Sequence, residues 1–166
     1  YDDLITVESC WPDAIARHCN TPNDPLWSSQ WNLTPEDVNC EPAWDDQTDS
    51  DVLVAIVDSG ADFAHPDLDA NVWVNPGEIP GNGTDDGGNG YVGDVHGWGF
   101  MNPDGDPTDD CGHGTHVSGI VGAEGDNDLD IAGICWSATL LEIKVLDKGG
   151  AGTWTTIAQG ITYAPH

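Results

Sequence analysis

The chain has 166 residues, with 30 acidic side chains against 3 Lys and Arg, and a formal net charge of −27 at neutral pH. Such a charge is repelled by phosphate backbones and by anionic lipid, which argues against nucleic-acid and membrane-surface functions. An apolar content of 38% with eight Trp indicates a packed domain rather than a disordered acidic chain. Two explanations of the charge stay open: carboxylate clusters that bind hard cations such as Ca²⁺, or dispersed surface carboxylates suited to high ionic strength.

The first half of the chain predicts one short helix and one strand. Residues 1–50 are irregular and rich in Pro, but Thr34 followed by Pro35 predicts a helix that extends to Trp44. The apolar run 52–57 predicts a strand buried on both faces, which is typical of a parallel sheet. Residues 75–110 are dense in Gly, Asp, Asn and Pro and predict a long loop.

The second half predicts a regular alternation of elements. Small and apolar residues from Gly112 to Ala123 predict a tightly packed helix. Residues 139–146 predict a second buried strand, and residues 155–164 predict a helix that Pro165 ends. Strand, long loop, helix, strand and helix in this order predict an open α/β sheet.

Cysteine usage and apolar runs indicate where the protein works. The five cysteines form no C-x-x-C pair, which argues against a zinc ribbon and a redox motif. Together with the acidic loops, they favour an oxidising, extracellular setting. No stretch approaches the roughly 18 apolar residues of a membrane span. The chain begins at Tyr1 without a signal peptide, so we expect a fragment or a processed product.

Asp58 and His113 are the candidate catalytic residues. Asp58 ends the first predicted strand, and functional sites in open parallel sheets form at that end of the strands. His113 lies between two glycines at the start of the predicted helix, so its ring can approach a strand end closely. A carboxylate beside a histidine ring fixes the tautomer and stabilises the imidazolium, which predicts an acid–base pair. A helix-capping role for Asp58, and a zinc pair of His113 with His116, stay open as alternatives.

Three ordered motifs carry a family resemblance: VAIVDSG at 54–60, HPDL at 65–68 and GHGTHVSG at 112–119. They resemble the Asp block, the following segment and the His block of the subtilisin-like serine peptidases (subtilases). Within this family, the pattern is most similar to that of thermitase-like members. Asp before His is the order of subtilisin. The resemblance implies a three-layer α/β fold with a mostly parallel sheet flanked by helices, truncated in this chain. It also implies Asp58 as the orienting acid and His113 as the general base.

The resemblance implies a secreted serine endopeptidase that cleaves peptide bonds of proteins with an Asp-His-Ser triad. The family's nucleophilic serine and oxyanion-hole Asn match no segment here and are expected downstream, so the chain itself is expected to be inactive. Residues 1–20 are expected to be the end of a propeptide or a linker, and residues 21–166 the N-terminal part of the catalytic domain. The implied partners are protein or peptide substrates and the propeptide, acting as inhibitor or chaperone. The alternative function is a non-catalytic, calcium-stabilised binding module.

A glycine-rich segment resembles the substrate-binding edge of the family. Gly150, Ala151 and Gly152 match the segment to which the substrate backbone adds as a strand. Trp154 matches the aromatic wall that subtilases often place against the P4 side chain. A plain glycine turn with a solvent-exposed Trp is the alternative.

Three acidic segments are candidate calcium sites, since Ca²⁺ binds about six to eight oxygens that loops supply by alternation. The resemblance alone implies the first, which comprises Asp24, Asp67 and Asn127. Alternating oxygens predict the second, which comprises Asn102, Asp104, Asp106 and Thr108, although Gly99 replaces an Asp usual in the family. The third has the outline of an EF-hand loop, with Gly87 and Gly93 where similar subtilases carry carboxylates, and comprises Asp85, Asn89 and Asp94. Acidic Asx-turns without metal are the alternative in each case.

Overall fold

The computed structural model describes residues 20–35 and 37–164, so the predictions for residues 1–19 lie outside the described residues. Three strands, three α-helices and three short 3-10 turns occur in the described part of the chain. The strands are β1 (Asp49–Asp58), β2 (Gly97–Gly99) and β3 (Ser137–Lys144). The helices are α1 (Glu41–Trp44), α2 (His113–Gly122) and α3 (Trp154–Tyr163). The 3-10 turns are Trp27–Ser29, Trp31–Leu33 and Asp69–Asn71.

The strands form one parallel sheet in the order β1-β3-β2. The register pairs Ile56 with Glu142 and Asp58 with Lys144, which brings the carboxyl ends of β1 and β3 to the same edge. Both predicted strands and both long helices are therefore confirmed, with bounds shifted by up to three residues at the start of β1.

Two details of the prediction are wrong. The helix expected between Thr34 and Trp44 is reduced to the single turn α1, because Asn39 has a positive φ of 58° and the Thr34 hydroxyl donates to the Trp31 carbonyl instead of capping a helix. The first half of β1 is not buried on both faces, since Val52 is 63% exposed. In the described residues β1 lies at the edge of the sheet, and the helices cover only its second half.

Alternate residues of β3 divide the core into two faces, as the pleat of a strand requires. On one face Leu141, Ile143 and Val145 pack with Tyr163 of α3. On the other face Ala138 and Leu140 pack with Ile56 and with two valines of α2. Helices on both faces of a parallel sheet give the three-layer α/β architecture that the resemblance implied. No helix of the described chain is long and apolar enough to cross a bilayer.

The first turn of α2 lies directly on the turn that follows β1. A Cβ atom at Gly114 would be 2.0 Å from the Gly60 carbonyl oxygen, so only glycine fits there. Gly60 itself has a φ of +97°, and a Cβ atom there would be 2.0 Å from the Pro107 carbonyl oxygen. This contact between backbones places the start of α2, and thus His113, beside the end of β1.

We expect Gly114→Ala to lower the free energy of unfolding by about 1–3 kcal/mol, because overpacking forces backbone shifts. Gly119→Ala is the matched control, since a Cβ there meets only the flexible Ile131 Cδ1 at 3.4 Å and alanine favours the helix by about 1 kcal/mol. Urea denaturation of both variants measures the difference. Equal stability of the two variants would contradict the close contact.

Candidate active site

Asp58 and His113 form a hydrogen-bonded pair. Asp58 is the last residue of β1 and His113 the first residue of α2, and Asp58 Oδ1 lies 2.7 Å from His113 Nδ1. The same oxygen accepts the Ser59 backbone N–H at 2.7 Å, which fixes the carboxylate. The Asp58 side chain is 14% exposed and that of His113 is 62% exposed, so a partly buried carboxylate holds an imidazole that is open on its other side.

Asp58 changes the titration of the imidazole. Its hydrogen bond, and then its charge, raise the pKa of His113 above the ordinary value, with a smaller contribution from the charge of Asp109. The raised pKa means that the imidazolium form is stabilised, which is what a base that takes up a proton requires. The carboxylate also holds the proton of neutral His113 on Nδ1, so that Nε2 is the basic nitrogen.

Asp109, which the sequence analysis missed, organises the turn before α2. Its two oxygens accept backbone N–H groups of Cys111, Gly112 and Thr115 at 2.9 Å each, and the hydroxyls of Ser59 and Thr115. Burial alone raises the pKa of Asp109, but these hydrogen bonds outweigh it and hold the pKa well below its usual range. Asp109 thus caps α2 in place of Gly112, and an Asp shortly before a helix start is the signal that indicates it.

Ser59 connects the Asp58 turn to the His113 helix. Its side chain is fully buried, donates to Asp109 and accepts the Gly114 backbone N–H at 2.9 Å. The hydroxyl is therefore used on both sides in structural hydrogen bonds. His116, one turn beyond His113, completes no metal site: in residues 20–35 and 37–164 no three His, Cys, Asp or Glu side chains converge to hold an ion.

The glycine-rich segment lies close to this pair. Gly150, Ala151 and Gly152 are exposed, and a Cβ atom at Gly150 would lie 3.8 Å from Cys111 Sγ in the turn that precedes His113. Asp147 Oδ1 shapes the turn by accepting the backbone N–H groups of Gly149 and Ala151. The structure thus brings this segment to the edge of the sheet where β1 ends at Asp58 and where His113 of α2 lies.

Trp154 begins α3 and is 89% exposed. A reciprocal capping box between Thr153 and Thr156 fixes the start of the helix and therefore the position of Trp154. A surface groove of about 480 Å³ is lined by Tyr91, by Trp154 and by one side of α3 along its whole length. The role of Trp154 as an aromatic wall for substrate stays a prediction.

Residues 49–166 match the model of the subtilase family of peptidases. The chain belongs to the subtilase family. Thermitase from Thermoactinomyces vulgaris is 39% identical over 144 residues, which cover 87% of this chain and 43% of thermitase. The halolysin-like extracellular serine protease Nep from Natrialba magadii is 32% identical over 167 residues, which cover 98% of this chain and 27% of Nep.

A solved structure supports the same assignment. A protease from Pseudoalteromonas arctica matches with a TM-score of 0.63 and 32% identity, covering 85% of this chain and 43% of that chain. The subtilisin-like, three-layer fold is therefore confirmed. The subtilase chain described here spans less than half the length of each of these relatives.

Two carboxylates implied as calcium ligands in this subtilase lie close together. Asp24 is 4% exposed and Asp67 is 1% exposed. Burial is the main cause that raises the pKa of Asp24. Backbone hydrogen bonds lower it in part, and the charge of Asp67 adds to the rise. Asp24 Oδ1 is buried without a hydrogen-bond partner in the described chain, as the oxygen of a cation ligand would be. Asn127 lies beside them, but its amide N–H donates to Asp67 Oδ1 at 2.9 Å, so its oxygen does not point to the pair.

The second candidate calcium loop is organised by Asx-turns. Asp104 Oδ1 accepts the backbone N–H of Asp106, and Asp106 Oδ1 accepts that of Thr108. The Thr108 carbonyl is already bound by the Lys144 ammonium at 2.8 Å. These three loop residues and Asn102 are exposed, and none of their side-chain oxygens is buried without a partner as Asp24 Oδ1 is, so a calcium site in this loop stays a prediction.

The third candidate loop is also satisfied by hydrogen bonds. Asp85 accepts three backbone N–H groups, from Gly88, Asn89 and Gly90. Asp94 is buried and accepts from the side chains of Asn75, Asn89 and Tyr163. Glu78 accepts the N–H groups of Gly87 and Gly93, the positions that lack carboxylates. The carboxylate oxygens of this loop are therefore used in hydrogen bonds, and a calcium site there stays a prediction.

We expect Asp58→Asn to lower the pKa of His113 towards its ordinary value, because it removes the charge that stabilises the imidazolium. NMR titration of the imidazole protons measures the shift. The His96 resonances serve as an internal control, since His96 Nδ1 contacts the Trp73 carbonyl and not Asp58. An unchanged His113 titration in the variant would contradict the pairing.

Proposed function

We propose that this chain is part of a secreted serine endopeptidase in which Asp58 and His113 are the acid and base of an Asp-His-Ser triad. The observation that carries the proposal is the 2.7 Å contact between Asp58 Oδ1 and His113 Nδ1 at the carboxyl end of a parallel strand. The relatives named as serine proteases support the reaction, and the word extracellular in the name of the Natrialba relative supports secretion.

In the proposed mechanism, neutral His113 keeps its Nδ1 proton, which it donates to Asp58 in a hydrogen bond, and accepts the serine hydroxyl proton at Nε2. The fixed Asp58 charge then stabilises the imidazolium, which later donates the same proton to the leaving amine. We propose that the serine and the oxyanion donor lie outside these 166 residues, since the chain spans less than half of its relatives. Residues 1–20 would then be the end of the propeptide or a linker.

Protein and peptide substrates are the proposed ligands of the glycine-rich edge. An extended substrate would pair its backbone with Gly150 to Gly152, where small residues leave room for a second strand. The exposed ring of Trp154 would contact the substrate side chain four positions before the cleaved bond. The acidic surface argues against nucleic acid as a ligand.

We expect a fluorophosphonate probe to label the full-length protein at a serine and His113→Ala to abolish this labelling. Asp58→Asn should slow the reaction by roughly 10⁴-fold, because the imidazole is then held in the wrong tautomer. His116→Ala is the matched control and should be labelled like the wild type, since His116 does not contact Asp58. Mass spectrometry of the labelled peptide identifies the serine. A folded full-length protein that is never labelled would instead support the non-catalytic binding module.

We propose further that Ca²⁺ binds at Asp24 and Asp67. Their burial, their mutual repulsion and the unpartnered Asp24 Oδ1 support this location. The loops at 85–94 and 102–108 contain no buried side-chain oxygen that lacks a partner in the described chain. When bound, the ion would supply the positive charge that this pair lacks. The two carboxylates would anchor it, with further oxygens from backbone carbonyls and Asn127 after rotation of its amide.

We expect millimolar Ca²⁺ to raise the melting temperature of the full-length protein over its value in EDTA. At a Ca²⁺ concentration of 100 times the Kd, binding adds about 2.7 kcal/mol to the free energy of unfolding. Asp24→Asn should remove this response and, in EDTA, melt no lower than the wild type, because it relieves the buried repulsion. Asp85→Asn should keep the response, since Asp85 is bound by backbone N–H groups. Melting of the wild type that is the same in both buffers would refute the site.

A further inference from the structure

A buried glutamate lies behind the candidate catalytic pair and has no role in the triad. Glu142 is in the middle of β3, pairs in register with Ile56, and is fully buried. Its Oε1 lies 3.0 Å from Ser118 Oγ in α2, and its Oε2 has no hydrogen-bond partner in the described chain. A carboxylate in such a position is costly to bury, and its presence needs a physical explanation.

Proton counting shows which form of Glu142 fits. The Ser118 hydroxyl has one proton but lies within hydrogen-bond distance of two acceptors, the Gly114 carbonyl at 2.9 Å and Glu142 Oε1 at 3.0 Å. An ionised Glu142 would compete with the Gly114 carbonyl for this single proton, and the carbonyl would then keep only its helical N–H partner. A protonated Glu142 satisfies both contacts, because its O–H donates to Ser118 Oγ and the Ser118 O–H donates to the Gly114 carbonyl.

The charges around Glu142 favour the same form. Burial is the main cause that raises the pKa of Glu142 to about 8; the Ser118 hydrogen bond lowers it in part, and the charges of Asp109 and Asp58 add to the rise. The nearest cation on the same face of β3, Lys144, is bound to Asp110 and the Thr108 carbonyl. On the β2 side, His96 is directed to the Trp73 carbonyl.

The hydrogen-bond chain ends at the residue that positions His113. Gly114 follows His113 in the first turn of α2, contacts Gly60 and donates its N–H to Ser59. Its carbonyl is the acceptor that a neutral Glu142 reserves for Ser118. Gly114 is thus held by Ser59 on its amide side and by Ser118 on its carbonyl side. Ser59 is oriented by Asp109, whose pKa is held well below its usual range, so only the Ser118 contact depends on a group that titrates above neutral pH.

We propose that Glu142 is a positioning residue for His113: as a neutral acid it donates to Ser118, commits the Ser118 proton to the Gly114 carbonyl and so fixes the first turn of α2 against Asp58. Ionisation of Glu142 turns the Ser118 hydroxyl towards the new anion and releases the Gly114 carbonyl. The site then loses alignment at alkaline pH. This inference rests on the role proposed for His113.

The sign of the pH dependence follows from linkage. The pKa of Glu142 is about 8 in the folded protein and has an ordinary value of 4.5 in the unfolded chain. The stability that the protonated form contributes is therefore complete below about pH 4.5 and is lost as the pH rises to about 8. Over this window the unfolding equilibrium constant should rise roughly three thousandfold relative to a variant without the titrating group.

The test compares full-length wild type with Glu142→Gln, whose amide donates to Ser118 at every pH. The melting temperatures should agree near pH 5 and diverge up to pH 9, with the variant more stable. The low-field Nδ1 proton of His113 should weaken above pH 8 in the wild type and persist in the variant. In active enzyme, kcat should fall on the alkaline side in the wild type only, with KM unchanged.

Glu78→Gln is the matched control, since Glu78 is also buried but accepts two backbone N–H groups as an anion, in the loop that contains Gly87 and Gly93. It should leave the His113 titration unchanged. Parallel melting curves of wild type and Glu142→Gln between pH 5 and 9 would show that Glu142 holds no proton and would overturn the proposal. Diverging curves with identical His113 titrations would overturn the positioning role.

Two measurements keep the outcome decisive if the variant does not fold or the protein is inactive. In wild type, the ¹³Cδ signal of Glu142 and the Nδ1 proton of His113 should titrate together near pH 8. A Glu142 midpoint in the ordinary range for glutamate would refute the proposal. Neither readout needs a nucleophile, so failed fluorophosphonate labelling refutes the peptidase function without deciding the role of Glu142.

Discussion

The site depends on one contact, in which the first turn of α2 lies on the turn after β1 with no side chain between them. Gly114 and Gly60 make this possible, since a Cβ on Gly114 would lie 2.0 Å from the Gly60 carbonyl. At this separation Asp58 reaches His113 directly, and the Ser59 hydroxyl reaches the Gly114 amide. The small residues of α2 are therefore a requirement of the chemistry and not only of packing.

Three carboxyl groups act on this contact, and each is accommodated in a different way. Asp58 is paired with His113, and Asp109 is held by backbone N–H groups and hydroxyls that lower its pKa. Glu142 lacks a cation and a second donor, and burial raises its pKa. Neighbouring acids whose environments separate their pKa values can serve as a charge, a cap and a proton donor within one site.

The sequence was sufficient for the parts of the structure that local patterns determine. The run 52–57 lies within β1, and the small residues after Gly112 form α2, because apolar continuity and residue size are local properties. The pairing of Asp58 with His113 followed from strand-end geometry. The helix expected from Thr34 was wrong because the positive φ of Asn39 interrupts it. Such an interruption depends on tertiary contacts that propensity does not contain.

The roles of Asp109 and Glu142 could not be derived from the sequence, although both residues are visible in it. Asp109 is one of many acidic residues in a glycine-rich loop, and only the fold shows that five donors converge on it. Glu142 interrupts an apolar strand, but whether its side chain meets a cation or Ser118 depends on which helix covers that face. Tertiary neighbours, not residue type, decide these roles.

The backbone provides most of the positive partners that this acidic chain lacks in its side chains. Two or more backbone N–H groups donate to each of four carboxylates, those of Asp85, Asp109, Asp147 and Glu78. By contrast, Lys144 provides the one Lys–carboxylate ion pair of the described residues. Salt screens the long-range repulsion between exposed carboxylates but acts weakly on short hydrogen bonds in partly buried turns. High ionic strength would therefore reduce the repulsion among the carboxylates that give the net charge of −27. It would leave in place the turns that position His113 and the glycine-rich edge. The two explanations of the charge, cation binding and high ionic strength, are therefore compatible. A few buried carboxylates can serve as cation ligands, while the many exposed ones require only screening by salt.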